Sequence, residues 1–243
     1  MNRLTSSLAA LCDRSSANRT VAVAPVRSSR DSLSPAYHLL SPVHYEAGYS
    51  YPLLVWLHSA GDDERQLRRV MPHVSLRNYV SVAPRGVVTE SNGYSYSWCD
   101  ASPELAWQSV HDALQIARSQ YNVNPDRIFL AGMNDGGTMA LRLALTQPNL
   151  FAGAVSIGGA FPLNCGALSR LSAIRNLPLL ICRGLEAVDY SSEQMCEEIR
   201  LFHAAHMQVH YRQYPCGDEL TEPMLRDVNA WLMEQVTGAP VLT

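Results

Sequence analysis

The segment around Asn134 has the spacing that acyl-transfer chemistry uses, but with a side-chain amide at its centre. Gly132 and Gly136 flank Asn134 at two-residue intervals, directly after an apolar run at 127–131. A buried strand that breaks sharply at small residues and then enters a helix has the layout of a nucleophile elbow, G-x-S-x-G, whose serine attacks a carbonyl carbon. Glycines let strand and helix approach closely, and asparagine tolerates the positive φ of such a turn. The pattern predicts a preserved turn without its nucleophile.

The elements that must position this turn alternate along the chain. Apolar runs of strand length are separated by segments of helical period, which is typical of a mostly parallel sheet with helices on both faces. The predicted strands span 36–43, 52–58, 79–84, 127–131, 154–157, 178–183 and 209–214. The predicted helices span 103–121, 192–206 and a final segment from about 221. The fold class is therefore α/β, as a three-layer sandwich.

The size and composition predict a single domain. The chain has 243 residues, of which 47% are hydrophobic and 17% charged, enough for one sizeable core. Residues 1–34 are rich in Ser, Ala and Arg without periodicity, and we predict a flexible N-terminal tail there. The predicted domain is 35–243.

Several kinds of function are disfavoured by the sequence. A net charge of −3 without a basic run argues against nucleic acid, and no apolar run approaches a membrane span. The six cysteines form no C-x-x-C pair, which favours free thiols in the cytoplasm over a zinc site or a disulfide framework. His203 and His206 share a helix face but lack a third ligand nearby, even with His210 counted. We predict no metal and no cofactor.

Four segments together resemble the α/β-hydrolase superfamily, and in particular its bacterial carboxylesterase/phospholipase (lysophospholipase-like) family. Besides the elbow, 53–61 looks like the strand and loop that supply an oxyanion-hole amide. Residues 83–98 are similar to the substrate-side loop, and 214–219 to the loop that carries the catalytic histidine. The resemblance covers nearly everything from residue 36 onward and implies the α/β-hydrolase fold.

The resemblance also implies a catalytic triad, and this chain departs from it at every station. Asn134 stands at the nucleophile position, and its carboxamide has no ionisable hydroxyl. The motif Gly-His-Glu reads Gly-Asp-Glu, which puts Asp218 at the histidine position. The acid, expected three residues after Gly184, is Ala187. The sequence therefore predicts a degenerate member, inactive as a serine hydrolase.

The resemblance places the other site residues by their loops. Ser59 and Asp135 are the oxyanion-hole-like positions, and the predicted pocket residues are His58, Tyr94, Tyr96, Trp98 and Asp189. We expect Asn134 and Asp218 to hydrogen-bond in place of the lost serine–histidine contact. We also expect carboxylates to gather at the carboxyl ends of the strands, namely Asp135, Glu186, Asp189, Asp218 and Glu219.

The predicted function is that of a pseudo-hydrolase which binds a small molecule, an ester, acyl or aromatic compound, or a protein partner, including a second copy of itself. The alternative is an active ester hydrolase with a rearranged site on the same scaffold. It would use Asp135 as nucleophile, or a loop residue paired with a histidine such as His58. The loop candidates are Ser59, Ser97, Cys99 and Cys216. A purely structural role is a third hypothesis.

Overall fold

The computed structural model describes residues 36–99, 101–162 and 171–238, so the predicted tail at 1–34 lies outside the described residues. Within these ranges the strands are β1 (Tyr37–Leu40), β2 (Tyr51–Leu57), β3 (Val80–Pro84), β4 (Val88–Thr89), β5 (Tyr96–Ser97), β6 (Val123–Met133), β7 (Gly153–Ile157), β8 (Leu179–Gly184) and β9 (Val209–Tyr214). The helices are α1 (Gln66–Val74), α2 (Pro103–Gln120), α3 (Asp135–Thr146), α4 (Leu171–Ile174), α5 (Ser192–Ala205) and α6 (Glu222–Thr237). In this part of the chain, no helix is long and apolar enough to cross a membrane.

The main sheet has the strand order β1-β3-β2-β6-β7-β8-β9. Only β1 runs antiparallel to its neighbour, and all other pairs are parallel. The loops that follow β2, β3, β6, β7, β8 and β9 therefore leave from one edge of the sheet, which we call the carboxyl edge. Open α/β sheets bind their ligands at this edge.

Helices cover both faces of the sheet, as predicted. Along β2, Leu53 and Val55 pack with α2 and α3 on one face, whereas Leu54 and Trp56 pack with α1 and α6 on the other. All residues of β2 are buried, which is the pattern of a strand covered on both sides. The predicted three-layer α/β sandwich is confirmed.

Some element boundaries differ from the predicted ones. Strand β6 begins at Val123, earlier than predicted, because Tyr51 of β2 pairs with Val123. Helix α1 was not predicted, since Pro72 lies inside it and arginines interrupt its apolar stripe. Packing against α6 stabilises it through the buried residues Leu67 and Val70. Tertiary contacts have outweighed local preference here.

A buried carboxyl group ties α5 to the neighbouring segment. Glu198 is 4% exposed. It accepts hydrogen bonds from the Phe161 backbone amide at 3.0 Å, from the Tyr190 hydroxyl and from the Gln194 side-chain amide at 3.3 Å. Burial raises the pKa of Glu198 above its usual value of 4.5, although these hydrogen bonds act in the opposite direction.

The raised pKa of Glu198 predicts that the wild-type protein loses stability as the pH rises and this carboxyl group ionises. A group whose pKa is higher when folded contributes stability below its unfolded pKa and loses that contribution as the pH rises through the folded pKa. Since glutamine does not titrate, the Tm of Glu198→Gln relative to wild type should increase as the pH rises from about 4.5 through the folded pKa of Glu198. Thermal melts across this range measure it. Glu197→Gln, which changes an exposed neighbour, is the control, and a Glu198→Gln difference independent of pH would contradict the prediction.

Candidate functional site

The turn between β6 and α3 has the geometry of a nucleophile elbow. Asn134 has φ 50° and ψ −119°, so the positive φ predicted for the central residue is confirmed. A Cβ on Gly132 would lie 2.4 Å from the Gly136 carbonyl oxygen. A Cβ on Gly136 would lie 2.4 Å from the carbonyl oxygens of Leu57 and His58. Both glycines are therefore required by close backbone approach.

The amide side chain of Asn134 occupies the apex of this turn. Its Oδ1 atom is buried and has no hydrogen-bond partner among the described residues. A Cβ on Gly158, which has φ +68°, would lie 2.6 Å from this oxygen, so glycine at the end of β7 leaves room for the amide. An unsatisfied buried acceptor costs about 1–3 kcal/mol. A carboxamide has no hydroxyl to activate, so the apex lacks the group that forms an acyl-enzyme.

Asp218 does not bond to Asn134, and the predicted hydrogen bond between them is wrong. The Asp218 carboxylate instead accepts the Val188 amide at 2.9 Å through Oδ2. Its Oδ1 atom is buried and, like Oδ1 of Asn134, has no partner within the part of the chain that the structure describes. The Asn134 carboxamide also carries two N–H donors, but the Asp218 carboxylate accepts from the Val188 amide instead of from them.

The Asp135 carboxylate lies between two loops of the carboxyl edge. Oδ1 accepts the Ala60 amide at 2.6 Å, and Oδ2 accepts the amides of Trp98 at 2.6 Å and Cys99 at 3.2 Å. An oxyanion hole needs free backbone N–H groups at this place. Because the Ala60 amide already donates to a carboxylate, this amide of the loop after β2 is not free to bind a substrate oxygen.

Ser59 is held in the same loop by its side chain. Its hydroxyl accepts the Gln66 side-chain amide at 3.0 Å. The loop amide that bonds to Asp135 is that of Ala60, one residue later than the position chosen from the sequence. Nothing in the sequence specified which of these amides is directed toward the elbow.

His58 is fully buried and uses both ring nitrogens. Nε2 accepts the Gly86 amide at 2.8 Å, which fixes Nδ1 as the protonated nitrogen that donates to the Ser59 carbonyl at 2.9 Å. The ring links the loop after β2 to the loop after β3. It has no nitrogen left to accept a proton from a nucleophile.

Ala187 is 9% exposed in the loop after β8. A buried arginine, which was not among the site residues predicted from the sequence, holds this loop in place. Arg183 is 2% exposed and donates to the carbonyls of Ala187 at 3.2 Å and Tyr190 at 2.5 Å. A Cβ on Gly184 would lie 2.0 Å from the Gly217 carbonyl oxygen, so this loop contacts the one that carries Asp218. The acid and histidine positions are adjacent, as the resemblance implies.

The predicted acidic group is spread over the carboxyl edge. Glu186 and Asp189 are exposed in the loop after β8, and Asp135 is engaged by backbone amides. Glu219 accepts the Gly217 amide at 3.1 Å. Among the described residues, no three His, Cys, Asp or Glu side chains are grouped so that they hold a metal ion.

The three loop aromatics take different positions. Trp98 is 1% exposed and packs against the His58 ring, with ring centroids 5.7 Å apart. Tyr96 is half-buried, and the Arg85 guanidinium lies over its ring, 4.5 Å from the centroid of the tyrosine ring. Tyr94 is 86% exposed. Of the three rings, only that of Tyr94 is open to solvent, so the three do not line one side of a common pocket.

The replacement nucleophiles are poorly placed for catalysis. Ser97 is 2% exposed. Burial raises the pKa of the Cys216 thiol, and the nearby carboxylates of Glu219, Glu186 and Asp218 raise it further. A thiol of raised pKa is a weak nucleophile at neutral pH. The backbone amide of Cys99, an exposed residue, belongs to the Asp135 contacts.

Comparison with known proteins agrees with this geometry. The family described as Phospholipase/Carboxylesterase matches residues 43–235. A probable carboxylesterase of rice (Oryza sativa subsp. japonica) is 25% identical over 232 residues, which cover 80% of this chain and 94% of that protein.

Solved structures show the same fold. The crystal structure of Arabidopsis thaliana SOBER1 matches with a TM-score of 0.64 at 20% identity, covering 77% of this chain and all of the other (100%). The Bacillus cereus carboxylesterase matches with a TM-score of 0.65 at 18% identity, covering 84% of this chain and 96% of the other.

Proposed function

Because the chain belongs to the phospholipase/carboxylesterase family of α/β-hydrolases, we propose that it is a member that has lost ester hydrolysis and binds a small molecule or a protein partner at its carboxyl edge. The observation that carries this proposal is the side-chain amide of Asn134 at the apex of an otherwise intact elbow. The ligand would be an ester, acyl or aromatic compound that is held without turnover.

Three further observations support the loss of catalysis. Asp218 provides no base for a nucleophile at Asn134, because it has no hydrogen bond to that residue. His58 has both nitrogens engaged. The carboxylate of Asp135 occupies the Ala60 amide that an oxyanion would need. The nucleophile is thus absent, the candidate bases are engaged elsewhere, and one of the two expected oxyanion donors is occupied.

The proposal includes a cytoplasmic location. Cys182, Cys196 and Cys216 carry thiols rather than disulfides, which is the usual state of cysteine in a reducing compartment.

The wild-type protein is expected to hydrolyse p-nitrophenyl acetate and butyrate no faster than Asn134→Ala, and to resist labelling by a fluorophosphonate probe. The reason is that no hydroxyl at the apex attacks the ester or the phosphorus atom. Release of p-nitrophenol and in-gel detection of the probe are the measurements.

The control variant is Asn134→Ser, which adds the hydroxyl without a base and should also remain unlabelled. Wild-type turnover well above the buffer rate that disappears in Asn134→Ala would overturn the proposal. Turnover that survives Asn134→Ala would instead point to a rearranged active site.

A further inference from the structure

We infer that the chain forms a dimer by pairing β9 with the same strand of a second copy, so that the sheets of the two molecules join edge to edge. Strand β9 is the last in the sheet order, and β7 and β8 separate it from β6, which leads into the elbow. The inference therefore goes beyond the proposed function and holds whether or not the carboxyl edge binds a ligand.

The outer side of β9 carries unpaired backbone groups. The Leu185 N–H donates to the Tyr214 carbonyl at 2.8 Å, so the even-numbered residues of β9 direct their backbone groups toward β8. Because successive residues of a strand alternate in direction, the N–H and C=O groups that point away from the sheet are those of Val209, Tyr211 and Gln213. Within the described ranges, no backbone hydrogen bond reaches these groups from outside.

This edge lacks the usual protection against pairing. Natural edge strands are shielded by proline, lysine, a bulge or a covering segment. Strand β9 contains neither proline nor lysine, and its register with β8 runs without a bulge. The guanidinium of Arg212 bonds to the Asp227 carboxylate of α6 at 2.8 Å, which balances its charge within the same molecule. The strand is therefore open to another strand.

A two-fold axis through Tyr211 gives a register that uses every outward residue. In an antiparallel pair, two opposed residues exchange both of their N–H···O=C bonds. Around this axis, Tyr211 pairs with the partner's Tyr211, and Val209 pairs with the partner's Gln213. His210 then lies opposite the partner's Arg212 in the non-hydrogen-bonded pair. An axis through Arg212 would instead oppose two guanidinium groups, which is destabilising, and an axis through His210 would leave Gln213 unpaired. The edge is thus complementary to itself, as a two-fold interface requires.

Helix α5 extends this surface on one face of β9. The Gln213 side-chain amide donates to the Met195 sulfur at 3.1 Å, so the Met195 side of α5 borders the outer part of the strand. Ile199 lies one turn after Met195 on the same side and is 40% exposed. In the joined sheet the two α5 helices lie side by side on the same face. Exposed apolar side chains there add burial to the paired strands.

Sedimentation velocity of the full-length protein between about 1 and 200 µM tests this inference, because small interfaces dissociate in this range of concentration. We expect the wild-type protein to change from monomer to dimer across it. Gln213→Pro removes an outward N–H that the monomer does not use, which edge strands tolerate, and should raise the dimer Kd at least about ten-fold. Gln213→Ala is the matched control, since it removes the same exposed side chain but keeps the N–H, and should change the Kd by less than about three-fold.

A second pair of variants leaves the strand unchanged. Ile199→Glu places like charges on the two α5 helices where they face each other, and should raise the dimer Kd at least about five-fold at low salt and less at high salt. Leu201→Glu should leave the Kd unchanged, because Leu201 is also 40% exposed but lies about 200° around the helix from Ile199. Circular dichroism melts establish that each variant is folded. If Gln213→Pro does not fold, the comparison of Ile199→Glu with Leu201→Glu decides.

Amide hydrogen exchange followed by NMR reports on the strand residue by residue. The outward amides of Val209, Tyr211 and Gln213 should exchange more slowly at the concentration at which the dimer forms than in the monomer. A wild-type protein that stays monomeric up to about 200 µM would overturn the inference. A dimer that folded Gln213→Pro and Ile199→Glu proteins both retain would also overturn it, because another surface would then join the two copies.

Discussion

A variant that combines Asn134→Ser, Ala187→Asp and Asp218→His with Asp135→Asn is expected to hydrolyse p-nitrophenyl butyrate at least about 100-fold faster than the wild-type protein, because a general base contributes about 10²–10⁴-fold. The first three changes restore the nucleophile, the orienting acid and the general base. The fourth removes the negative charge next to the Ala60 amide, 2.6 Å from that nitrogen. Rates of p-nitrophenol release provide the measurement.

The triple variant that keeps Asp135 is expected to be at least about ten times slower than the quadruple variant, because loss of one oxyanion donor costs about 10²–10³-fold in kcat. A carboxylate at this place also repels the developing oxyanion. Asparagine has one acceptor oxygen where aspartate has two, so the Ala60, Trp98 and Cys99 amides can no longer all be bound. One donor then becomes available to the substrate.

The matched control places Asp112→Asn in the triple background, since Asp112 lies on α2 and is 37% exposed. It should not change the rate. If the triple and quadruple variants are equally fast, the Asp135 carboxylate does not block an oxyanion site. If the quadruple variant stays at the buffer rate, the rest of the catalytic scaffold has also been lost.

Much of the fold follows from local patterns in the sequence. Strand β2 and the first four residues of β8 are apolar, and helix α2 begins with Pro103 after a Ser102 cap that accepts the Leu105 amide. These signals depend on neighbours in the chain, so they are readable without tertiary structure. Helix α1 was missed because its Pro72 argues against a helix and only its packing against α6 stabilises it.

The candidate site was predictable in position but not in its contacts. The elbow spacing located Asn134, and the motif counts located Ala187 and Asp218. Asp135 bonds to Ala60 and Trp98, which lie 75 and 37 positions away from it in the chain, and no local pattern encodes these contacts. The wrong prediction of a bond between Asn134 and Asp218 has a similar cause, since the Val188 amide competes for the carboxylate from a third loop.

Gly136→Ala is expected to lower the free energy of unfolding by about 2 kcal/mol or more, or to prevent folding. An added Cβ would lie 2.4 Å from the carbonyl oxygens of Leu57 and His58, and these belong to the end of a central strand that pairs with β6. Alanine is favoured over glycine in a helix by about 1 kcal/mol. The steric conflict should exceed this gain because backbone atoms on both sides have little freedom to move. Urea unfolding followed by circular dichroism measures the difference.

Gly48→Ala is the control, because a Cβ at Gly48 has no neighbour within 4 Å, and its unfolding free energy should stay within about 0.5 kcal/mol of wild type. An unfolding midpoint for Gly136→Ala equal to that of wild type would mean that β2 and α3 do not approach as closely as the structure has them. The same approach carries Asp135, at the first position of α3, to the Ala60 amide. Stability and the blocked oxyanion position thus depend on one close contact between a strand and a helix.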